Sequence, residues 1–291
     1  MKYRPSSPLW NQRGFTLLEI AVVMIIIGIL AGGGVSLMKM LTERKARLAT
    51  VEYLQQARMG LISFAVNNGR LPWADTDGDG LENNSATGGG LPFLTLRISP
   101  ADAYKRVLRY AFNANLAANR FASCSALRAG LAAPPMVVDA DGTGTAFAIA
   151  AVLVSAGPMD ADSNGNVFDT LAAGPHQGNN ITGNPNYLRH PIVANFDDLA
   201  VYISAHELSA ELCEYLSLAV NNNSGSMVHL FDVNQGGDIG SVSNGGSSVF
   251  NVISGSRLEL RSSTGGAGSI VASTPPTPIA LAGRGATLNL P

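Results

Sequence analysis

The sequence predicts an α+β fold, with a long N-terminal helix, an antiparallel β-sheet head and a β-rich C-terminal extension. Three observations lead there. An apolar run opens at Phe15 and reaches Leu41, and Leu48, Val51, Leu54, Ala57, Leu61 and Phe64 then recur at steps of three and four, the spacing of one helix face. Short apolar segments bounded by Gly, Pro, Asn and Asp follow and read as strands. Beyond Asn221 the composition shifts to Gly and Ser with brief apolar bursts.

The first element is membrane-length. Between Ile20 and Met38 there is no charged side chain, a stretch of about 28 Å of helix at 1.5 Å per residue, against a hydrocarbon thickness of about 30 Å. One carboxylate, Glu19, stands at its head, and a charge in such a segment asks for a functional explanation. At Gly32-Gly33-Gly34 each glycine costs about 1 kcal/mol relative to alanine; lipid favours keeping the backbone bonds, but this is where the helix could unwind or bend. The helix should stop near Asn67 and Asn68, with Gly69 as a left-handed cap and Pro72 just beyond.

A polar loop, Asp75 to Gly90, comes next. Ala101 to Ala118 reads as a helix, with Val107, Leu108, Tyr110 and Ala111 as candidate buried positions. Phe147 to Ser155 is a continuous apolar run ending at Gly157-Pro158 and reads as a buried strand. After a second polar loop, Asp160 to Asn186, Asp198 to Ser204 reads as a strand and Ala205 to Leu218 as a short helix holding Cys213. In the tail, Val249 to Ile253 and Arg257 to Leu260 read as a hairpin across Ser254-Gly255-Ser256, and Met227 to Val233 and Ala286 to Leu290 as further strands. The tail is either a small β-module or an extension of the main sheet.

Charged residues make up only 14% of the 291 residues and the formal net charge is -2, against roughly 25% charged in ordinary soluble domains. Nothing in this balance points to nucleic acid. The basic residues between Lys39 and Arg47 flank the apolar run, where lipid head groups are their natural partners. Lys2, Arg4 and Arg13 on one side balance Lys39, Arg44, Lys45 and Arg47 less Glu43 on the other, so the positive-inside rule does not orient the segment.

Arg13-Gly14-Phe15-Thr16-Leu17-Leu18-Glu19 resembles the processing and assembly signal of type IV prepilins and of the pseudopilins of type II secretion. The resemblance implies a pilin-like fold, a leader of residues 1–14 in the cytoplasm, a transmembrane and assembly helix over 15–41, a head over 42–221 outside the inner membrane, and an extension over 222–291. It also implies a prepilin peptidase that cuts after Gly14, methylation of the new amino group of Phe15, and partnership with other pilin subunits and an inner-membrane assembly platform. Gly14 lets an extended backbone enter a protease site without a side chain. Glu19, one helical turn after Phe15, could meet the amino terminus of a neighbouring subunit, which would offset the cost of a buried charge. A second resemblance, to pseudopilin-type proteins, covers Asn68-Gly69-Arg70-Leu71-Pro72 and Gly90-Leu91-Pro92-Phe93 around the polar loop. Cys124 and Cys213 fall in the exported part, where a disulfide between them is expected; the alternative is a pair of small buried thiols.

Two acidic turns are candidate calcium loops. Asp75, Asp77 and Asp79 alternate ahead of Gly80, and Asp160, Asp162 and Asn164 repeat the pattern ahead of Gly165, with Asp169 nearby. Neither is an EF-hand, because the twelfth positions are Ala86 and Leu171; Glu82 would serve only in another loop geometry. The other reading of both is a solvated Asp/Asn/Gly turn. Asp139-Ala140-Asp141-Gly142 is shorter and reads as a turn.

Enzyme chemistry is not indicated. His176, His190, His206 and His229 lack metal-ligand spacing, His206-Glu207 is followed by Ala210 where a zinc-protease helix needs its second His, and no nucleophile elbow or phosphate loop is present. The expected role is therefore structural, a minor subunit of a pilus or pseudopilus. The alternative is a membrane-anchored, calcium-dependent adhesin or binding protein that uses the same export signal.

Overall fold

In chain order, the computed structural model contains a helix α1 (Leu17–Asn68), β1 (Gly88–Gly90), α2 (Phe93–Leu96), β2 (Arg109–Phe112), a single 3-10 turn (Ala114–Leu116), α3 (Arg120–Ala129), β3 (Met136–Asp139), β4 (Phe147–Ala148), β5 (Ala151–Ser155), β6 (Thr170–Leu171), β7 (Gly178–Asn179), β8 (Asn186–Arg189), β9 (Leu199–Ile203) and α4 (Ala205–Leu212). The C-terminal part adds β10 (Tyr215–Asn222), β11 (Val228–Asp232), β12 (Gly237–Val242), β13 (Gly246–Ile253), β14 (Arg257–Arg261), β15 (Ile279–Ala280) and β16 (Ala286–Leu290). The structure describes residues 16–140, 144–171, 178–181, 186–234, 236–280 and 286–291. Contacts divide the chain into a unit up to Leu48 and a unit from Ala49 onward.

In the first unit the large apolar side chains of α1 from Leu17 to Leu41 are exposed, and by length and composition the helix can cross a membrane. Gly32, Gly33 and Gly34 do not interrupt it. The backbone ladder is kept through them, as the lack of competing water in lipid favours.

In the second unit α1 buries a face made of Thr50, Tyr53, Leu54, Ala57, Leu61, Ile62 and Ala65. The predicted stripe was correct from Leu54 to Leu61, but Leu48 and Val51 are exposed, because the buried face is rotated toward Thr50 and Tyr53. The helix ends as expected, with Gly69 at φ 74 and its N–H bonded to Ala65 O at 2.7 Å.

This face packs on an antiparallel sheet in the order β1-β2-β5-β9. Every residue of β5 is buried, since Ala151 and Leu153 face the α1 core while Val152 and Val154 face a second cluster with Val137, Ile149 and Tyr187. Burial on both faces is why this part reads as an unbroken apolar run; the single strand expected over Phe147 to Ser155 is two, since Phe147–Ala148 pairs as β4 in another sheet with Phe147 exposed. The second cluster is covered by the small sheet β4-β3-β8.

The helix expected over Ala101 to Ala118 is not formed. Asp102 Oδ1 instead accepts the N–H groups of Tyr104 and Arg106, a local turn that competes with helix. Arg109–Phe112 then pairs with β5, burying Tyr110 and Phe112 on one face and Ala111 on the other. Leu108 is buried and Val107 is exposed. Likewise α4 stops at Leu212, and Leu216, Leu218 and Val220 alternate into the core as strand β10. Cys213 caps α4 and is bonded to Cys124 in α3, with their Cα atoms 5.7 Å apart.

The C-terminal strands form two sheets, β13-β10-β16 and β12-β11-β14-β15, around one core that includes Leu218, Val220, Leu230, Leu258, Leu260 and Leu288. The tail is thus a β-module begun by β10, its strands not joined to the head sheet among the described residues. The predicted hairpin is corrected as well: β13 pairs with β10 and β14 with β11, so the turn at Ser254–Ser256 carries the chain from one sheet to the other. Both flanking strands need their apolar side in the same core, and an arch supplies that where a hairpin would not.

The disulfide closes a separation of 89 residues. Replacing Cys124 and Cys213 together by Ser is expected to lower unfolding free energy by about 2–4 kcal/mol. Urea titration of the two proteins checks this; coincident curves would contradict it.

Candidate functional site

Gly14 and Phe15 lie outside the described residues. The first described turn shows how the segment after them is built. Glu19 N bonds to Thr16 O at 3.1 Å and to Thr16 Oγ1 at 3.2 Å. Thr16 and Glu19 thus stand at the spacing of a helix-opening box, and a carboxylate in the first turn also suits the positive end of the helix dipole. The Glu19 side chain is exposed. Residues 11–35 match the prokaryotic N-terminal methylation motif. The N-terminus is type IV prepilin-like. No curated protein and no solved structure matches the chain. The motif carries with it processing by a prepilin peptidase and assembly with pilin subunits, and with the apolar helix it fits a membrane-anchored pilin.

The second candidate region is acidic. In the first turn Asp75 Oδ1 accepts from the N–H groups of Asp77 (3.2 Å) and Gly78 (2.7 Å), and Oδ2 accepts from Gly80 (2.8 Å). Asp77 accepts from Asp79 N and Asn83 Nδ2, and these bonds, the backbone one first, hold it below the usual carboxylate range. Asp79 Oδ1 accepts from Leu81 N at 2.7 Å. Glu82 is committed elsewhere, in a two-pronged pair with Arg70 at 2.8 Å and 2.8 Å and a bond from Trp73 N.

The second turn is built alike. Asp160 accepts from Asn164 N and Gly165 N, Asp162 from Asn164 N, Asn164 Nδ2 and Thr170 N, and Asn164 Oδ1 from Asn166 N. Asp169 links this turn to the interior. Its Oδ1 accepts from Ala161 N at 2.9 Å and its Oδ2 from Asp197 N at 2.6 Å, while its own N–H donates to Asp198 Oδ2 at 3.0 Å.

Among the described residues, carboxylate oxygens gather in three groups able to hold a metal ion: Asp75, Asp77 and Asp79; Asp160, Asp162 and Asp169; and Asp169, Asp197 and Asp198. Only the third is wholly buried. Sequence reasoning found Asp169 and missed Asp197 and Asp198, although two adjacent aspartates at the threshold of an apolar strand were a visible signal. Burial, and then the charge of Asp169, push Asp197 up to about 6. Burial pushes Asp198 up to about 8, against the pull of its bonds from Asn180 and from the Asp169 N–H. Arg109 lies beside Asp198, its guanidinium 4.6 Å over the Phe168 ring.

Both carboxyls hold a proton more tightly folded than unfolded, where 3.8 is usual. The stability tied to them is therefore full below about pH 4 and is lost as pH rises through the folded values of about 6 and about 8. In chelator, the denaturation midpoint is expected to fall as pH rises from about 5 to about 9. A midpoint flat or rising across that window would contradict the burial of these charges.

Proposed function

We propose that this protein is a structural, minor subunit of a type IV pilus or a type II secretion pseudopilus. The observation that carries the reading is the methylation motif at residues 11–35, set on a helix able to cross a membrane and leading to an α+β head. In this reading prepilin peptidase cuts after Gly14 and Phe15 is N-methylated. The chain waits in the inner membrane as a single-pass protein with a periplasmic head, and the assembly platform moves it into the filament. The exposed apolar side chains from Leu17 to Leu41 then exchange lipid for helices of neighbouring subunits. Glu19, exposed in the first turn, pairs with the amino terminus of a neighbour and sets register.

A C-terminal β-module with its own core cluster supports the second reading, a membrane-anchored adhesin or binding protein that borrows the signal. Co-sedimentation with sheared filaments separates the two. Catalysis has no part in either.

Gly14→Asp is expected to block maturation, so that the variant runs at precursor size in cells that process the wild type. Equal mobility of variant and mature wild type would defeat the cleavage assignment. Glu19→Ala should be processed normally yet drop out of sheared filament fractions by about tenfold or more, the loss of one buried charge pair. Wild-type incorporation of that variant would remove charge pairing from the mechanism.

A further inference from the structure

We propose that Asp169, Asp197 and Asp198 form a buried site for one divalent, oxygen-seeking cation, with calcium preferred over magnesium. This does not depend on the filament reading.

One oxygen of each carboxylate lies within 4.8 Å of the others, and their residues are 0%, 6% and 0% exposed. Three charges so placed must be protonated or held by a cation. The hydrogen bonds favour the cation. Asp169 takes N–H bonds from Ala161, Asp162 and Asp197, Asp198 Oδ2 takes them from Asp169 and Asn180, and Asp197 Oδ2 takes one from Met159. Such donors dress ionised carboxylates. Two oxygens remain, Asp197 Oδ1 and Asp198 Oδ1, both buried and without a hydrogen-bond partner among the described residues. A proton shared between Asp197 and Asp169 would still leave Asp198 Oδ1 without a partner, and a metal ion needs bare oxygens of this kind.

Neighbouring cations do not discharge the site. Arg109 stands near Asp198, but its Nε and Nη1 are buried without bonding any carboxylate. Arg106, near Asp197, gives its N–H groups to Ala156 O and Pro158 O. The donor set is all carboxylate oxygen, which selects hard cations and excludes the thiolate and imidazole metals. Calcium is favoured over magnesium because it accepts 6–8 oxygens in flexible geometry, and Asp169 is shared with the adjoining Asp160–Asp162 turn. Gly157, at φ 60, lets the Asp197 carboxyl pack against the backbone here, since a Cβ would overlap Asp197 Oδ1. An ion so held would clamp the loop leaving β5 to the turn entering β9.

The test uses the full chain in detergent, stripped with chelator and titrated with CaCl2 or MgCl2 by calorimetry and thermal unfolding. The wild type should bind calcium more tightly than magnesium and melt higher with it. Asp198→Asn and Asp197→Asn should each weaken calcium binding at least ~10-fold. In chelator, Asp198→Asn should melt no lower than the wild type at alkaline pH, because a buried charge has been removed without changing shape. Asp77→Asn, in the other turn, should bind as the wild type does. Absence of heat and of thermal stabilisation in the wild type overturns the proposal, as does binding that Asp77→Asn removes and Asp198→Asn spares. Should Asp198→Asn fail to fold, Asp197→Asn decides: wild-type affinity there overturns the site.

Discussion

The head depends on one constraint, the burial of strand β5 on both of its faces. Ala151 and Leu153 must meet α1, and Val152 and Val154 must meet the layer of β3 and β8. A strand covered on both sides has no solvent-facing residue to tolerate a slip, so its register with β2 and β9 is fixed by the packing. Both segments that carry the buried aspartates then follow from that register. The loop with Asp169 leaves β5, and Asp197-Asp198 enters β9 beside it.

That placement sets a high electrostatic cost beside a fully buried strand. Asp169, Asp197 and Asp198 are buried, and Arg109 stacks on Phe168 without closing an ion pair on them. The two acidic turns, similar in sequence, differ in what lies behind them. Asp75, itself buried, and the exposed Asp77 spend their oxygens on N–H groups of their own loop. Asp169 spends one of its oxygens on Asp197 N, and so brings a surface turn into contact with the interior.

The N-terminal unit has a different logic. Its large apolar side chains are exposed among the described residues, so the helix needs lipid or other helices around it. Composition alone states this, because a stretch of helix satisfies its backbone internally and needs only its length and hydropathy to be read. Thr16 and Glu19 are legible for the same reason, as neighbours one turn apart.

What the sequence determined by itself was local. The membrane-length helix, its stop at Gly69, strands β5, β9, β11 and β16, and the motif around Phe15 all follow from period, capping or short-range pattern. Tertiary structure decided the rest. Tyr110 and Phe112 became a strand because β5 offered a partner, whereas periodicity alone left them in a helix. Strands β13 and β14 joined different sheets because their apolar sides had to share one core. Asp197 and Asp198 met Asp169 only because β9 pairs with β5; nothing in the intervening residues encodes that distance. Helix and strand periods are properties of a few consecutive residues, while pairing and burial depend on which distant segments the whole chain brings together.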